Sequence, residues 1–456
     1  MYKNLLIGCF ITLFFSMTAE ASNLTIAHWS TPQGTPVFFV RSTELPMLDV
    51  RVIFAAGSSY DGDHAGLASL TNNLLSEGTT QLTANQIAND FDQVGAQFNN
   101  DVNRDMASVS LRTLTDKKYL DVSLNTFEAV LTQAVFNQSS FQRVVAETSA
   151  AIQDGLQTPD TVALNTFNQL LYGDQAYAHP VLGTLLSLQA ITPQMVEQFY
   201  TQYYTAHNAY IVLVGDITPQ EAMTIANHIS GKLPLGTVIK PLPMMQSNLP
   251  KALTKQVNFP SLQTAIVWGE LGITRNNPNY YPLIVGNTIL GALPMTSLLF
   301  QEVRNNRGLA YSVESDFDLL RSKGSFTIQL KTRADKVTDS IAVVKQTVHD
   351  FIVNGPTDTE LTNAKKYIDG SFPLATSSNS AIMNVVTAIA FYHRPLNYLD
   401  TYLSHINSVT KAQVISAMAS LLQPNKMILV TVGPPATLIK SSGAPLILNN
   451  SQQVGM

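Results

Sequence analysis

Two groups of residues in this 456-residue chain have types and spacing that could do chemistry. Arg304 and Tyr311 stand seven positions apart, on either side of Gly308. A guanidinium is a planar donor that is always charged. A phenol can donate a hydrogen bond to negative charge developing in a transition state. The second group is Ser69, Asn72, Asn73 and Ser76, at i, i+3, i+4 and i+7. On a helix that spacing shares one face. Two histidines at i and i+4 with a glutamate between them would hold zinc there and activate its water. Serine and asparagine offer only neutral oxygens, which are the wrong donors for zinc. His64 and His179 have no second ligand at metal spacing and read as surface or loop histidines. No nucleophile elbow, phosphate loop or paired carboxylates with site context is present.

The elements that must carry these residues follow from periodicity. Leu67, Leu70, Leu74 and Leu75 make one apolar stripe, so His64 to Ser76 is expected to be helical, with Glu77-Gly78 as its stop. Gly308 should break a helix, so that Arg304 ends that helix and Tyr311 begins a strand. On spacing alone the pair also fits a solvated helix arginine and a half-buried strand tyrosine.

A weak internal repeat sets the architecture. Thr192 and Thr410 each stand where a helix N-cap is wanted, followed by Val196 and Val414, which are 218 apart. The apolar runs Ala209 to Gly215 and Met427 to Gly433 read as buried strands, and their closing glycines are also 218 apart. The alternating stretches around Leu111 and Leu330 are 219 apart. Three landmarks in one order imply a duplicated unit. Each copy is expected to be α+β, a mostly antiparallel sheet with helices packed on one side. Residues 22–231 form the first copy and 252–440 the second. The proline-rich stretch 232–251 is a semi-rigid linker, and 441–456 is a tail.

Composition narrows the function classes. The chain is 45% hydrophobic and 13% charged with net charge −5, so it can bury large cores. It has no basic run or basic-aromatic interleaving, which argues against nucleic acid. Lys3, the short apolar stretch Leu5 to Met17 and Ala19-Glu20-Ala21 read as a cleaved signal peptide over residues 1–21. The stretch is short for a membrane span, and no other segment of the chain is long enough for one. A periplasmic or secreted chain starting near Ser22 is expected. Cys9, the only cysteine, lies in that signal, so disulfides and thiolate zinc sites are not expected.

Several stretches resemble one family. Gly57-Ser58-Ser59-Tyr60-Asp61, Gly66-Leu67-Ala68 and Leu74-Leu75-Ser76-Glu77-Gly78-Thr79 are similar to the zinc-site frame of the pitrilysin/insulinase-type peptidases, the inverzincins that include mitochondrial processing peptidase. In that family H-x-x-E-H follows the Gly-Leu-Ala; here the five positions read Ser69-Leu70-Thr71-Asn72-Asn73. Leu298-Leu299-Phe300-Gln301-Glu302-Val303-Arg304 and Arg307-Gly308-Leu309-Ala310-Tyr311-Ser312-Val313 look like the family's C-terminal-half signature. Weaker likenesses at Gly95 to Phe98, Asn208 to Asp216 and Val409 to Gly433 extend it over most of the mature chain.

The resemblance implies two tandem processing-peptidase-like domains and a former metal face that lines a cavity but binds no zinc. The family's third ligand, a glutamate, falls on Glu147 or on Ala151, depending on register. The resemblance also gives Arg304 and Tyr311 a role: binding substrate backbone and stabilising the oxyanion opposite a zinc held by another chain. Arg307 is the alternative to Arg304. The chain is thus expected to be the zinc-less member of a heterodimer, inactive alone. Its homologous partner would carry H-x-x-E-H and the zinc, and peptides or unfolded segments would be held by strand addition. The alternative is an exported peptide-binding or assembly protein of the same fold with no catalytic partner.

Overall fold

The computed structural model describes residues 24–246 and 252–435. The expected signal peptide and the C-terminal tail lie outside the described residues. Among the described residues eleven strands form two sheets: β1 (Ala27–Ser30), β2 (Pro36–Arg41), β3 (Met47–Phe54), β4 (Gln97–Val102), β5 (Ala107–Leu114), β6 (Ala209–Gly215), β7 (Leu253–Asn258), β8 (Gln263–Leu271), β9 (Ala310–Phe317), β10 (Ser325–Arg333) and β11 (Ile428–Gly433). The first sheet runs β1-β2-β6-β3-β5-β4 and the second β7-β11-β8-β10-β9. Leaving out β1, the two orders are the same, which is the duplication in three dimensions. All pairings are antiparallel except β2 with β6 and β7 with β11. Thr192 and Thr410 cap their helices as expected, accepting from the backbone N–H of Met195 and Gln413.

The central strands β6 and β11 are apolar without alternation and buried throughout except at Tyr210. Such strands need cover on both sheet faces. One face of each sheet is covered by helices of its own copy. In the first they enclose Phe54, Leu70, Phe127 and Ile211; in the second, Trp268, Phe326 and Val414. The other face is covered by a helix from the opposite copy. Helix Asn379–Phe391 of the second copy lays Ile382, Met383, Val386 and Phe391 on Phe38, Ile53 and Val212 of the first sheet. Helix Pro159–Tyr172 of the first copy lays Ala163, Phe167 and Leu171 on Ala265, Val267 and Val430 of the second. The expected one-sided helix layer is therefore each copy's own contribution, and a reciprocal exchange completes both sheets. Each fully buried Phe or Leu here is worth about 1.5–3 kcal/mol, so the copies are bound into one body.

A buried carboxylate ties the exchange together. Asp105, in the β4–β5 turn and 3% exposed, accepts from the hydroxyl of Tyr177, from the Arg321 backbone N–H (2.7 Å) and from the hydroxyl of Tyr392 (3.0 Å). Tyr177 and Tyr392 follow the two exchanged helices, and Arg321 lies in the β9–β10 turn. Burial first, then the charge of Asp105, raises both phenol pKa values, so both hydroxyls stay donors.

Candidate functional site

The helix expected over His64 to Ser76 spans Leu67–Leu74, followed by a tighter turn, Leu75–Glu77. Its N-terminus is held by Asp61, whose carboxylate accepts from Gly66 N–H and Ala68 N–H at 2.7 Å each. Burial pushes the Asp61 carboxyl up to about 7, against the pull of those two bonds. His179 Nδ1 lies 3.9 Å from Asp61, and burial lowers its pKa. His64, half-buried in the turn before this helix, joins Asp61 through its backbone, its N–H donating to the Asp61 carbonyl at 3.1 Å.

Within the helix the polar face is packed rather than open to a cavity, which corrects the expectation for Ser69 and Asn72; Ser76, in the turn beyond, does line one. Ser69 is 3% and Asn72 0% exposed. The Asn72 amide donates to the backbone carbonyls of Asp101 (3.0 Å) and Ser108 (3.3 Å), and Asn100 donates back to the Asn72 carbonyl at 2.8 Å. Asn72, which the resemblance places in the family's metal motif, is thus a strut bracing the helix on β4 and β5. The second copy builds the same brace: Asn287, 215 positions on, donates to the Ser315 carbonyl (3.1 Å) and accepts from its hydroxyl (2.6 Å). Asn73 is half-buried. Glu147 is exposed and ion-paired to Arg143 (2.7 Å), which also holds Glu77. Ala151 is exposed one turn further along the same helix. Among the described residues no cluster of three or more His, Cys, Asp or Glu has metal-holding geometry.

Arg304 and Tyr311 are brought together. Arg304 sits in the last turn of a wide, π-type helical segment, Phe300–Asn305, and Tyr311 is the second residue of β9. Gly308 turns the chain with φ +60°, a left-handed conformation that a Cβ would strain. The reversal is fixed by Leu309 N–H to the Val303 carbonyl (2.9 Å) and by the Thr332 hydroxyl to the Leu309 carbonyl (2.6 Å). The Arg304 guanidinium lies 4.7 Å from the ring centroids of both Phe300 and Tyr311. Such stacking holds the fork in place without neutralising it. Tyr311 is 78% exposed. Arg307 differs: its guanidinium is tied to the Glu302 carboxylate and backbone carbonyl. Of the two arginines, Arg304 keeps a charge that no carboxylate neutralises among the described residues.

A second π-type turn, Thr288–Ala292, precedes this segment, and Gly291 lets it press on β9, where a Cβ would meet Ser315 atoms at 2.3–2.8 Å. Wide turns of this kind are frequent at functional sites, and no sequence period announces them. β4, the outer strand of the first sheet, offers a free edge with a cavity on each face. One, about 800 Å³, is lined by Ser76, Glu77, Phe91, Phe98 and Arg143 on the side of helix Leu67–Leu74. The other, about 440 Å³, lies between the sheet and helix Asn379–Phe391 and contains Arg51 and Arg275. Sequence reasoning missed Asp61, Asp105 and Arg51. Only Asp61 carried a signal, as an acidic residue just ahead of a helix start.

This fold defines a member of peptidase family M16. Residues 38–185 match the family described as Insulinase (Peptidase family M16), and residues 190–368 match that described as Peptidase M16 inactive domain. The chain belongs to this family. A solved structure from Pseudomonas fluorescens, described as a peptidase M16 inactive domain, superposes with TM-score 0.87 at 36% identity, covering 91% of this chain and 98% of that one. A non-peptidase homolog, YmxG of Helicobacter pylori, is 27% identical over 90% of this chain and 94% of its own length. YmxG of Bacillus subtilis, described as an uncharacterized zinc protease, is 22% identical over 91% and 99%.

Proposed function

We propose that this chain is the zinc-less subunit of an exported M16 peptidase, lending Arg304 and Tyr311 to an active site whose metal belongs to a homologous H-x-x-E-H partner. The observation that carries this reading is a contrast between the two copies. The metal face of the first has become a buried strut through Asn72. The pair in the second remains stacked and free of carboxylates, with Tyr311 exposed and Arg304 half-buried. An exposed phenol stacked on a preformed guanidinium suits groups that meet substrate at a shared interface.

In this reading the partner brings zinc and the general-base glutamate. Arg304 binds the peptide backbone, and the Tyr311 hydroxyl donates to the oxyanion. Substrate is an extended peptide or unfolded segment. The free edge of β4, with a cavity on either face for alternate side chains, supports strand addition as the way it is held. The signal-like N-terminus supports export to the periplasm or outside the cell.

The test is zinc content and peptide hydrolysis of the mature chain alone and mixed with a zinc-bearing homologous chain from the same cell. No stoichiometric zinc and no hydrolysis alone, with hydrolysis in the mixture above that of the partner by itself, is expected. One tightly held zinc per chain with chelator-sensitive proteolysis would overturn the reading. A mixture that associates without added hydrolysis would favour the assembly or peptide-binding alternative.

A further inference from the structure

We propose that the 440 Å³ cavity between β3–β5 and helix Asn379–Phe391 is a carboxylate-binding pocket centred on Arg51 and Arg275. It rests on the reading that peptides lie along β4, and it names a preference that reading does not contain.

Neither Arg51 nor Arg275 forms an ion pair among the described residues, although the charge of Asp318, which also pairs with Arg104, reaches Arg275. Arg51, on β3, is half-buried. Its Nε donates to the Ser110 hydroxyl (2.9 Å), and Nη1 donates to Asn384 Oδ1 (2.9 Å) and the Thr387 hydroxyl (3.2 Å). All three partners are neutral, and Nη2 has no hydrogen bond among the described residues. Burial lowers the Arg51 pKa, with Asp101 and Asp49 opposing from a distance. Arg275 lies with its guanidinium 4.4 Å from the Tyr392 ring centroid, and its Nε is buried without a partner. A guanidinium drawn out of water with unused donors is costly until an anion meets it.

The rest of the lining suits the same guest. Arg112 and Asp49 neutralise each other in a two-pronged pair, with Nε to Oδ1 at 2.7 Å and Nη2 to Oδ2 at 3.1 Å. Asn99, Asn103 and Ser108 add neutral donors. Asp101 is the one other carboxylate in the lining, and it is exposed at the strand edge. The equivalent outer strand of the second copy, β9, instead carries Glu314 and Asp316, with Asp318 just beyond its end. The carboxylate preference therefore belongs to the first copy alone.

Strand geometry says how the guest arrives. Arg51 pairs with Ser110, and Ser110 with Asn99, so one row of side chains runs from Arg51 to the free edge. On a strand added to β4, side chains opposite Gln97, Asn99 and Asp101 fall on the pocket face. The carboxylate could come from a Glu or Asp side chain at such a position, or from the peptide's own C-terminus.

The experiment uses the mature chain without any partner and fluorescent extended peptides, read by anisotropy. The peptides carry either a central glutamate or its glutamine counterpart, and either a free or an amidated C-terminus. Replacing the recognised carboxylate should weaken binding roughly tenfold or more, as expected for a bidentate charged contact. The arm that shows the loss identifies the source. Arg51→Met should abolish the preference. Asp101→Asn, at an exposed site that does not threaten folding, should tighten the carboxylate peptide and leave the amide peptide unchanged. Equal affinity for acid and amide peptides, or an Asp101→Asn variant with unchanged preference, overturns the pocket while the peptide-holding role stands. Failure of every peptide to bind overturns both.

Discussion

Replacing Asp105 with asparagine tests how the two copies are locked. The carboxylate serves three donors from three segments: Tyr177 and Tyr392 behind the exchanged helices, and Arg321 N–H in the β9–β10 turn. Asparagine has the same shape but one acceptor oxygen and no charge. In either orientation its NH2 group points at a donor: the Tyr177 hydroxyl, or Arg321 N–H together with Tyr392. Tyr177 cannot simply turn round, because its oxygen already accepts from Ser322 N–H at 3.3 Å. Each hydrogen bond to a buried charge is worth about 1.5–3 kcal/mol. Asparagine leaves at least one buried donor facing an N–H group and turns the remaining bonds into neutral ones, a loss of about 2–4 kcal/mol. Asp105→Asn should therefore lose about that much in urea unfolding followed by circular dichroism. Tyr177→Phe and Tyr392→Phe should each lose about 1–2 kcal/mol, and each should cost little once Asp105 is gone, since they act through it. A loss below about 1 kcal/mol in Asp105→Asn, or full additivity with the tyrosine variants, would refute the reasoning.

Asn72→Ala should destabilise by about 1–3 kcal/mol, because two strand carbonyls lose a buried donor; unfolding by urea measures it. Restoring the metal motif with Ser69→His, Asn72→Glu and Asn73→His should give a less stable chain without stoichiometric zinc, since the glutamate would be a buried, unpaired charge in the strut; metal analysis decides. The Asp61 carboxyl is raised from 3.8 to about 7 in the folded chain. The native state thus holds a proton the unfolded chain has released, and this contribution is full below about 4 and lost as pH rises through about 7. Asp61→Asn should lack that part of the fall in stability, seen by comparing unfolding midpoints of both chains across this range.

The duplication was legible because buried strands leave contiguous apolar runs and N-caps leave threonines, and both recur at a constant offset. The exchange of helices was not. Periodicity marks the apolar face of Pro159–Tyr172 but not which sheet it covers, and Asn379–Phe391 is apolar on nearly every side. The unbroken apolar run Ala209 to Gly215 reads as a buried strand, but helices were expected on one side of the sheet only. Arg304 and Tyr311 were found by spacing within a resembled motif. Their stacking, which separates Arg304 from Arg307, depends on π-type turns that no residue period encodes. Asp105 reads in sequence as an ordinary turn aspartate, since its partners are far off in the chain. Asn72 could be read only as a missing ligand, because a strut is defined by the carbonyls it meets.

The most direct test of the central claim is the Tyr311→Phe variant in the reconstituted complex. One hydroxyl is removed and the packing volume is almost unchanged. If that hydroxyl donates to the oxyanion, kcat of the complex should fall by about 10²–10³, or ~2.7–4 kcal/mol. KM and subunit association should stay close to those of the parent, because the contact is made mainly in the transition state. Arg304→Lys, measured alongside, keeps the charge but loses the planar fork, and should also slow turnover. Peptide hydrolysis at parental kcat in both variants, with complex formation intact, would contradict the account and leave the pair as a structural stack.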